Sequence, residues 1–364
     1  METRELAAVA VEGPSTPPRI DSVTIHEFQT GVGRDWDRFV LNSPQGSLFH
    51  TIAWKRAIEK TFQFKSRYAY AEQDGQVIGV LPLAFVRNWI IGRCLHSSPF
   101  AVYGGICAEN PQAHDALLNY AKNLAQELRV DHVELHQRSG EVFDQFIPNT
   151  LYSTFTTELS PSNDANLKKL PKDTRYMIRK AEKSGLRTRH GLDQLDVFYS
   201  LFADSMRRLG TPVFPQALFR NLADEFPDQV DLMLVRNGDQ PVTGVFSFLY
   251  RDTILPYYAG ANSQAPSLAA NNFMYWELMK FAVERGCRVF DFGRSKQGTG
   301  AFLFKSQWSM TLEPLKYQLH LVRRKEVPNF SPLNPKFERA ARVWRKLPMG
   351  LTRAIGPRVV RWFP

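Results

Sequence analysis

The sequence predicts a mixed α/β (α+β) protein of two tandem units, each a mixed sheet flanked by helices. Its length, an internal repeat and the order of elements around that repeat carry the prediction. At 364 residues the chain is too long for one ordinary core and suits two domains of about 150 residues. DGQVIGVLPLAF at 74–85 and DQPVTGVFSFLY at 239–250 share Asp, Val, Gly and Val at matching places. Each is a polar turn feeding an alternating β-branched and aromatic run, which is a hairpin signal.

The neighbouring segments repeat in the same order. An amphipathic helical stretch and a strand precede each copy: AWKRAIEKTF and RYAYAEQ in the first, LFRNLADEF and VDLMLVR in the second. A strand, a helix and a strand follow: SPFAVYGG, AHDALLNYAKNLAQELR and VDHVELHQR, then TILPYYAGA, NNFMYWELMKFAVERG and CRVFDFGRS. In this register Tyr103 falls on Tyr258, Glu127 on Glu284 and Glu134 on Asp291. The repeated order weighs more than the four identities. It is the order of a GNAT-type acyltransferase unit. The expected division is a disordered lead over 1–20, a first GNAT-like domain over 21–160, a basic interdomain helix over 161–190, a second GNAT-like domain over 191–322 and a basic amphipathic tail over 323–364. In the interdomain helix Pro171 suits a start and Gly185 a stop.

Composition excludes several classes. With 43% hydrophobic and 23% charged residues the chain is globular rather than disordered or coiled-coil. Cys94, Cys107 and Cys287 lie far apart without metal spacing, so neither a disulfide framework nor a zinc site is implied and no metal is expected; a reducing cytoplasm fits. VIGVLPLAFV at 77–86 is half a bilayer span and contains a proline, and the N-terminus does not make a secretory signal. The net charge of +10 falls mostly in one place: from Arg323 onward eleven basic residues face Glu326 and Glu338. The remainder is nearly neutral, and a sequence-specific nucleic-acid protein is therefore a weak reading.

KDTRYMIRKAEKSGL at 172–186, DFGRS at 291–295 and GAFLFKSQW at 300–308 together resemble the FemAB family of nonribosomal peptidyltransferases, most closely its shorter relatives linked to exosortase and exopolysaccharide gene clusters. The resemblance covers roughly residues 22 to 322. It implies paired GNAT-like domains, a cleft for a nucleotide-linked or lipid-linked glycan acceptor, and a channel for an acyl donor. Known members join an amino acid from aminoacyl-tRNA to an amine of a peptidoglycan precursor. This chain lacks the long heptad insertion of some members, and its tail is unusually basic.

Acyl transfer to an amine needs no protein nucleophile, since a deprotonated, aligned amine attacks directly. A base and donors to the developing oxyanion remain to be supplied. Asp291, ending the apolar strand CRVFDFG, is the candidate base; the alternative is a structural carboxylate paired with Arg294 or capping the turn. Glu134, its counterpart in the first copy, reads as structural. Lys305 matches the family lysine thought to face acceptor phosphates or the reacting carbonyl, against the alternative of a solvated lysine. Arg175, Arg179 and Lys183 share one helix face, either a pyrophosphate clamp or a solvated basic face. Arg294 is a further substrate-binding candidate. His50 and Trp54 match the start of the family's first helix, where packing comes first and acceptor contact second.

A standard GNAT enzyme cradles the coenzyme A pyrophosphate with a Gly-rich turn between its fourth strand and the next helix. GANSQAPSLAANN at 260–272 occupies that place without the pattern. Acetyl-CoA is therefore the less expected donor; no tightly bound cofactor is expected, and aminoacyl-tRNA or another acyl thioester serves as co-substrate. Tyr257, Tyr258, Asn271 and Asn272 flank the loop and line either the donor site or the core.

In the tail, FERAARVWRKL has helical spacing, with Phe337, Ala341 and Trp344 on one stripe. It reads as a peripheral contact with an anionic membrane, with docking on its own domain or contacts to tRNA as alternatives. The expected function is transfer of an acyl or aminoacyl group to an amine of a cell-envelope glycan or peptidoglycan-type precursor. The alternatives are a non-catalytic binder of such precursors on a degenerate GNAT fold and an acyl-CoA-dependent N-acyltransferase for exopolysaccharide.

Overall fold

The computed structural model describes residues 22–88, 90–327 and 335–363, with side chains from Glu338 onward in the last stretch. The expected lead over 1–20 and the side chain of Phe337 lie outside these residues.

Both halves follow the expected order of elements. The first carries a four-stranded sheet (Thr24–Glu27, Ala69–Gln73, Gln76–Leu81, Cys107–Ala108) and a six-stranded one (Lys65–Ser66, Leu83–Asn88, Gly92–Ser97, His132–Gln137, Lys316–Leu321, Ile147–Asn149). The second carries an eight-stranded sheet in which Leu186–His190, Val230–Asn237, Gln240–Tyr250, Thr253–Ala261, Val289–Asp291, Tyr152–Glu158 and Ser295–Lys296 are neighbours in that order, and Thr311–Pro314 also pairs with Tyr152–Glu158.

The repeated segment takes two forms. In the first copy it breaks at Pro82, and the strands on either side enter different sheets. Proline has no N–H to continue a ladder. In the second copy Ser247 takes the corresponding place and the strand runs on for eleven residues, absorbing the irregularity as a register shift between Phe246 and Ser247.

Each unit contains one parallel pair joined through a helix. Gly92–Ser97 pairs with His132–Gln137 from Cys94 to His96, with helix Pro111–Glu127 between. Thr253–Ala261 pairs with Val289–Asp291 at Thr253 and Ile254 only, with helix Ala270–Glu284 between. A parallel pair requires such a crossover. Beyond the paired residues the strands separate, and the candidate site is built at these two openings.

Sheet membership departs from the division of the chain at residue 160. Tyr152–Glu158 lies antiparallel to Val289–Asp291 in the second unit, while Lys316–Leu321 returns to pair with His132–Gln137 in the first. The two units thus exchange strands, a long-range pairing that local sequence does not announce. Helices Ile52–Phe62 and Gln216–Glu225, counterparts in the repeat, pack on each other, joined by Asn221 to Thr61 at 2.9 Å and by Arg56 to Glu225 at 2.6 Å. One apolar cluster spans both units, including Phe49, Trp54 and Tyr103 from the first and Phe219, Phe246 and Tyr258 from the second.

The basic segment forms two helices, Asn163–Lys169 and Lys172–Lys183, with Pro171 before the second and Gly185 at φ +71° beyond its end. Thr174, Ile178 and Ala181 form its buried face, and the helix packs on Ala270–Glu284 of the second unit. The tail forms helices Pro335–Lys346 and Met349–Val360, which lie against helix Leu195–Leu209. A methyl group at Gly210 would meet the Ala341 side chain at 2.8 Å, and Arg207 donates to the Arg345 carbonyl at 3.1 Å. Of the readings for the tail, docking on its own domain is the one seen; Val343 (62% exposed), Arg339 and Arg342 remain on the outer face.

Candidate active site

Strand Val289–Asp291 is apolar up to Asp291, whose carboxylate is 1% exposed. A charge so placed needs partners. Its Oδ1 accepts from the Gly293 N–H at 2.8 Å and the Thr154 hydroxyl at 2.9 Å, its Oδ2 from the Tyr103 hydroxyl at 2.9 Å, and Arg138 stands 3.9 Å away. Thr154 comes from the exchanged strand and Tyr103 from the first unit, so three parts of the chain converge on this carboxylate.

The turn that follows is held from its other side. Lys305, in the short helix Gly300–Ser306, donates through Nζ to the carbonyls of Phe292 at 2.6 Å, Gly293 at 3.0 Å and Arg294 at 3.3 Å. Three carbonyls match the three N–H bonds of an ammonium. Burial pulls its pKa down to about 8, with Asp291 opposing and Arg294 adding to the shift.

Arg294 occupies the tip of the turn and is exposed. Its guanidinium lies over the ring of Tyr152 at 5.0 Å and that of Tyr317 at 5.8 Å, a cation–π arrangement across both units. Tyr317 is anchored through its hydroxyl to the Val102 carbonyl at 2.5 Å, and Tyr257 to the Phe100 carbonyl at 2.7 Å. The result is a cation with aromatic walls on an exposed turn, a shape that suits a phosphate or carboxylate.

The first unit contributes a buried cluster at its own strand opening. His136 stacks on Tyr317 at 4.0 Å and lies 3.1 Å from Glu134 through Nε2, with His96 beside them. Burial lowers the His96 pKa to about 3, so the ring is neutral.

The remaining candidates fall in four places. Asp291 is buried and hydrogen-bonded to the turn that follows it, the arrangement of the structural, turn-capping carboxylate that stood as the alternative to a base. Trp54 takes the packing place that came first in its reading rather than the acceptor contact: it is fully buried against Phe49 and Tyr257, with its indole N–H toward the Pro99 carbonyl at 3.4 Å. His50 is likewise buried, bonded to Ser47 at 2.8 Å and the Gly105 carbonyl at 3.0 Å. Tyr258 is 5% exposed within the aromatic core. Asn272 is half-buried in the first turn of helix Ala270–Glu284, and Asn271 accepts from Thr243 at 3.0 Å. Arg175 reaches back to the Lys168 carbonyl at 3.3 Å, and Arg179 is exposed on the outer face of the same helix. The structure joins Asp291, Arg294 and Lys305 but does not bring Arg175 and Arg179 into their contacts.

Sequence reasoning missed Arg138, Tyr152, Thr154, Tyr317 and the His96–Glu134–His136 cluster. For the cluster a signal existed: Glu134 and His136 stand two apart on a strand and so share a face. Tyr152, Thr154 and Tyr317 depend on the strand exchange and left none.

Residues 168–306 match the acetyltransferase (GNAT) domain family, and this stretch contains Asp291, Arg294 and Lys305. The matched stretch lies mostly in the second unit. The GNAT domain implies an acyl donor as co-substrate. Over both units the structure is similar to a crystal structure of FemX, with TM-score 0.61 and 16% identity, covering 82% of this chain and 98% of FemX. It is also similar to the C-terminal domain of a putative lysylphosphatidylglycerol synthetase from Agrobacterium fabrum, with TM-score 0.55, 11% identity and coverage of 80% and 92%. A tandem GNAT protein from the clavulanic acid biosynthesis pathway aligns with TM-score 0.50 and 8% identity, covering 84% and 100%. No curated protein sequence matches. At these identities the likeness is one of fold, and the fold is a tandem GNAT arrangement. Among the described residues no helix is long and apolar enough to cross a membrane.

Proposed function

We propose that this protein transfers an acyl or aminoacyl group to an amine of a cell-envelope glycan or peptidoglycan-type precursor, carried on a nucleotide or a lipid. The observation that carries the reading is Arg294: a residue exposed at the tip of a turn that Asp291 and Lys305 clamp, with its guanidinium against aromatic rings from the two units. In this role it binds a phosphate of the acceptor and aligns the amine. The resemblance to the FemAB family and the fold likeness to FemX and to a putative lysylphosphatidylglycerol synthetase support an envelope acceptor.

The amine nitrogen attacks the donor carbonyl carbon; the C–O bond of an ester, or C–S bond of a thioester, breaks; and the released hydroxyl or thiol takes up the proton lost by the amine. Positioning supplies most of the rate. An aminoacyl-tRNA is favoured over acetyl-CoA because the loop over 260–272 turns its amides inward: those of Ala265, Leu268, Ala269 and Ala270 all bond to carbonyls of the same loop. Such amides do not cradle a pyrophosphate.

The test is transfer of radiolabel from charged tRNA, and in parallel from acyl thioesters, to nucleotide-linked and lipid-linked precursors. Product with charged tRNA that falls at least about tenfold in Arg294→Ala is expected, the loss of one charge-assisted contact of about 1.5–3 kcal/mol. Equal turnover by the variant rejects the reading, and product from acetyl-CoA alone rejects the preference for aminoacyl-tRNA as donor.

A further inference from the structure

His96 and Glu134 are direct neighbours across the parallel pair of the first unit, the last such pair before the strands separate. His136 follows two residues along, on the face of Glu134. The histidine rings are 3% exposed, whereas the Glu134 side chain keeps 21%.

The hydrogen bonds fix which ring nitrogens carry protons. His96 Nδ1 lies 3.1 Å from the Ser97 carbonyl, and His136 Nδ1 lies 3.2 Å from the Ala101 carbonyl. A carbonyl only accepts, so both Nδ1 atoms donate. A ring that donates from Nδ1 can offer a lone pair at Nε2, and both Nε2 atoms lie toward one carboxylate: His136 Nε2 is 3.1 Å from Glu134 Oε1, and His96 Nε2 is 4.0 Å from Oε2. A second proton on His136 would satisfy the first contact and leave the second as acceptor against acceptor. A cation placed among the three satisfies them together.

We propose that His96, Glu134 and His136 bind a divalent transition-metal ion of the zinc class. The three candidate ligand atoms lie within 4.8 Å of one another. Tetrahedral bonds of about 2.0–2.2 Å separate ligand atoms by about 3.3–3.6 Å, and the contacts at 3.1 and 4.0 Å bracket that span. The donor set of two imidazoles and one carboxylate is that of zinc and its first-row neighbours. Both histidines have the outer hydrogen bond to a carbonyl that fixes a ligating tautomer. The His136 ring is held flat on Tyr317, which also faces Arg294, so the ion would sit beside the cleft with its open position on the side where Glu134 reaches solvent.

The test uses the full chain, stripped with a chelator, reloaded with Zn²⁺ or Co²⁺ and passed through gel filtration. About one equivalent of retained metal and visible d–d bands of low-coordinate Co²⁺ are expected. Glu134→Gln and His96→Asn should each weaken binding by at least about 10–100-fold, the loss known even for outer-shell partners, while His190→Asn, at an exposed histidine bonded to Asp231, leaves it unchanged. Circular dichroism reports whether the variants fold. Imidazole ¹⁵N spectra of the wild type give a second readout, in which Zn²⁺ should move the Nε2 signals of His96 and His136. A folded wild type that retains none of Zn²⁺, Co²⁺, Ni²⁺, Mn²⁺ or Fe²⁺, or whose two Nε2 signals stay still on titration, overturns the proposal.

Discussion

Asp291 and Lys305 grip one turn by its two polarities. Asp291 takes the N–H of Gly293 at 2.8 Å, while Lys305 takes the carbonyls of residues 292, 293 and 294. Side chains so engaged fix the backbone that carries Arg294, the residue proposed to meet the substrate.

On the proposed function, Asp291 is therefore a positioning residue. Asp291→Ala strands the Gly293 amide and leaves the Tyr103 and Thr154 hydroxyls with only the 2.8 Å bond between them, and each buried donor left unpaired costs about 1–3 kcal/mol. Urea unfolding should show a clear loss of stability. Asp291→Asn and Tyr103→Phe should be non-additive in a double-mutant cycle. An Asp291→Asn protein as stable as wild type but without turnover would return the residue to the role of base.

The clamp should titrate. The folded pKa of Lys305, about 8, lies below the ordinary 10.5, so between these values the unfolded chain binds the proton more tightly. Stability of the wild type relative to Lys305→Met should then rise as pH goes from about 8 to 10.5 and stay level below about 7. Paired thermal melts across this range check the sign; a difference that falls in that window contradicts the buried ammonium.

At Arg294 the shape of the cation should matter as well as its charge. Arg294→Lys keeps the charge but loses the planar face over Tyr152 and the paired donors. The acceptor KM is expected to rise about tenfold, with kcat less affected, in steady-state assays that vary the acceptor.

Trp54 separates packing from recognition. Trp54→Ala should cost about 3–5 kcal/mol in denaturant unfolding, as for other large core aromatics. Trp54→Phe should be milder and leave the acceptor KM unchanged. A large KM change in a stable Trp54→Phe protein would restore acceptor contact.

The outer face of the tail offers a membrane test that spares its docked face. Reversing charge at Arg339, Arg342 and Lys346, all exposed, should abolish co-sedimentation with anionic vesicles while melting temperature holds. Unchanged co-sedimentation discards the membrane contact.

Much of the architecture was legible because it rests on local periodicity. The helix at 52–62, the hairpin strands after Asp74 and Asp239, and the stop at Gly185 follow from side-chain spacing and turn chemistry. The repeat also set Glu134 against Asp291, and both stand at the ends of the parallel pairs. Their roles were not legible. Whether a carboxylate at a strand end is a base or a buried acceptor depends on what meets it, and here Tyr103 and Thr154 arrive from distant parts of the chain.

The sequence by itself determined two tandem α/β units, the order of their elements and the turn after Asp291 that carries Arg294, since each depends on residues close along the chain. Only the tertiary structure decided that strands 152–158 and 316–321 change places between the sheets, and with them Thr154, Tyr152 and Tyr317. Strand pairing joins residues far apart in sequence, and no local propensity records which partner a strand will find.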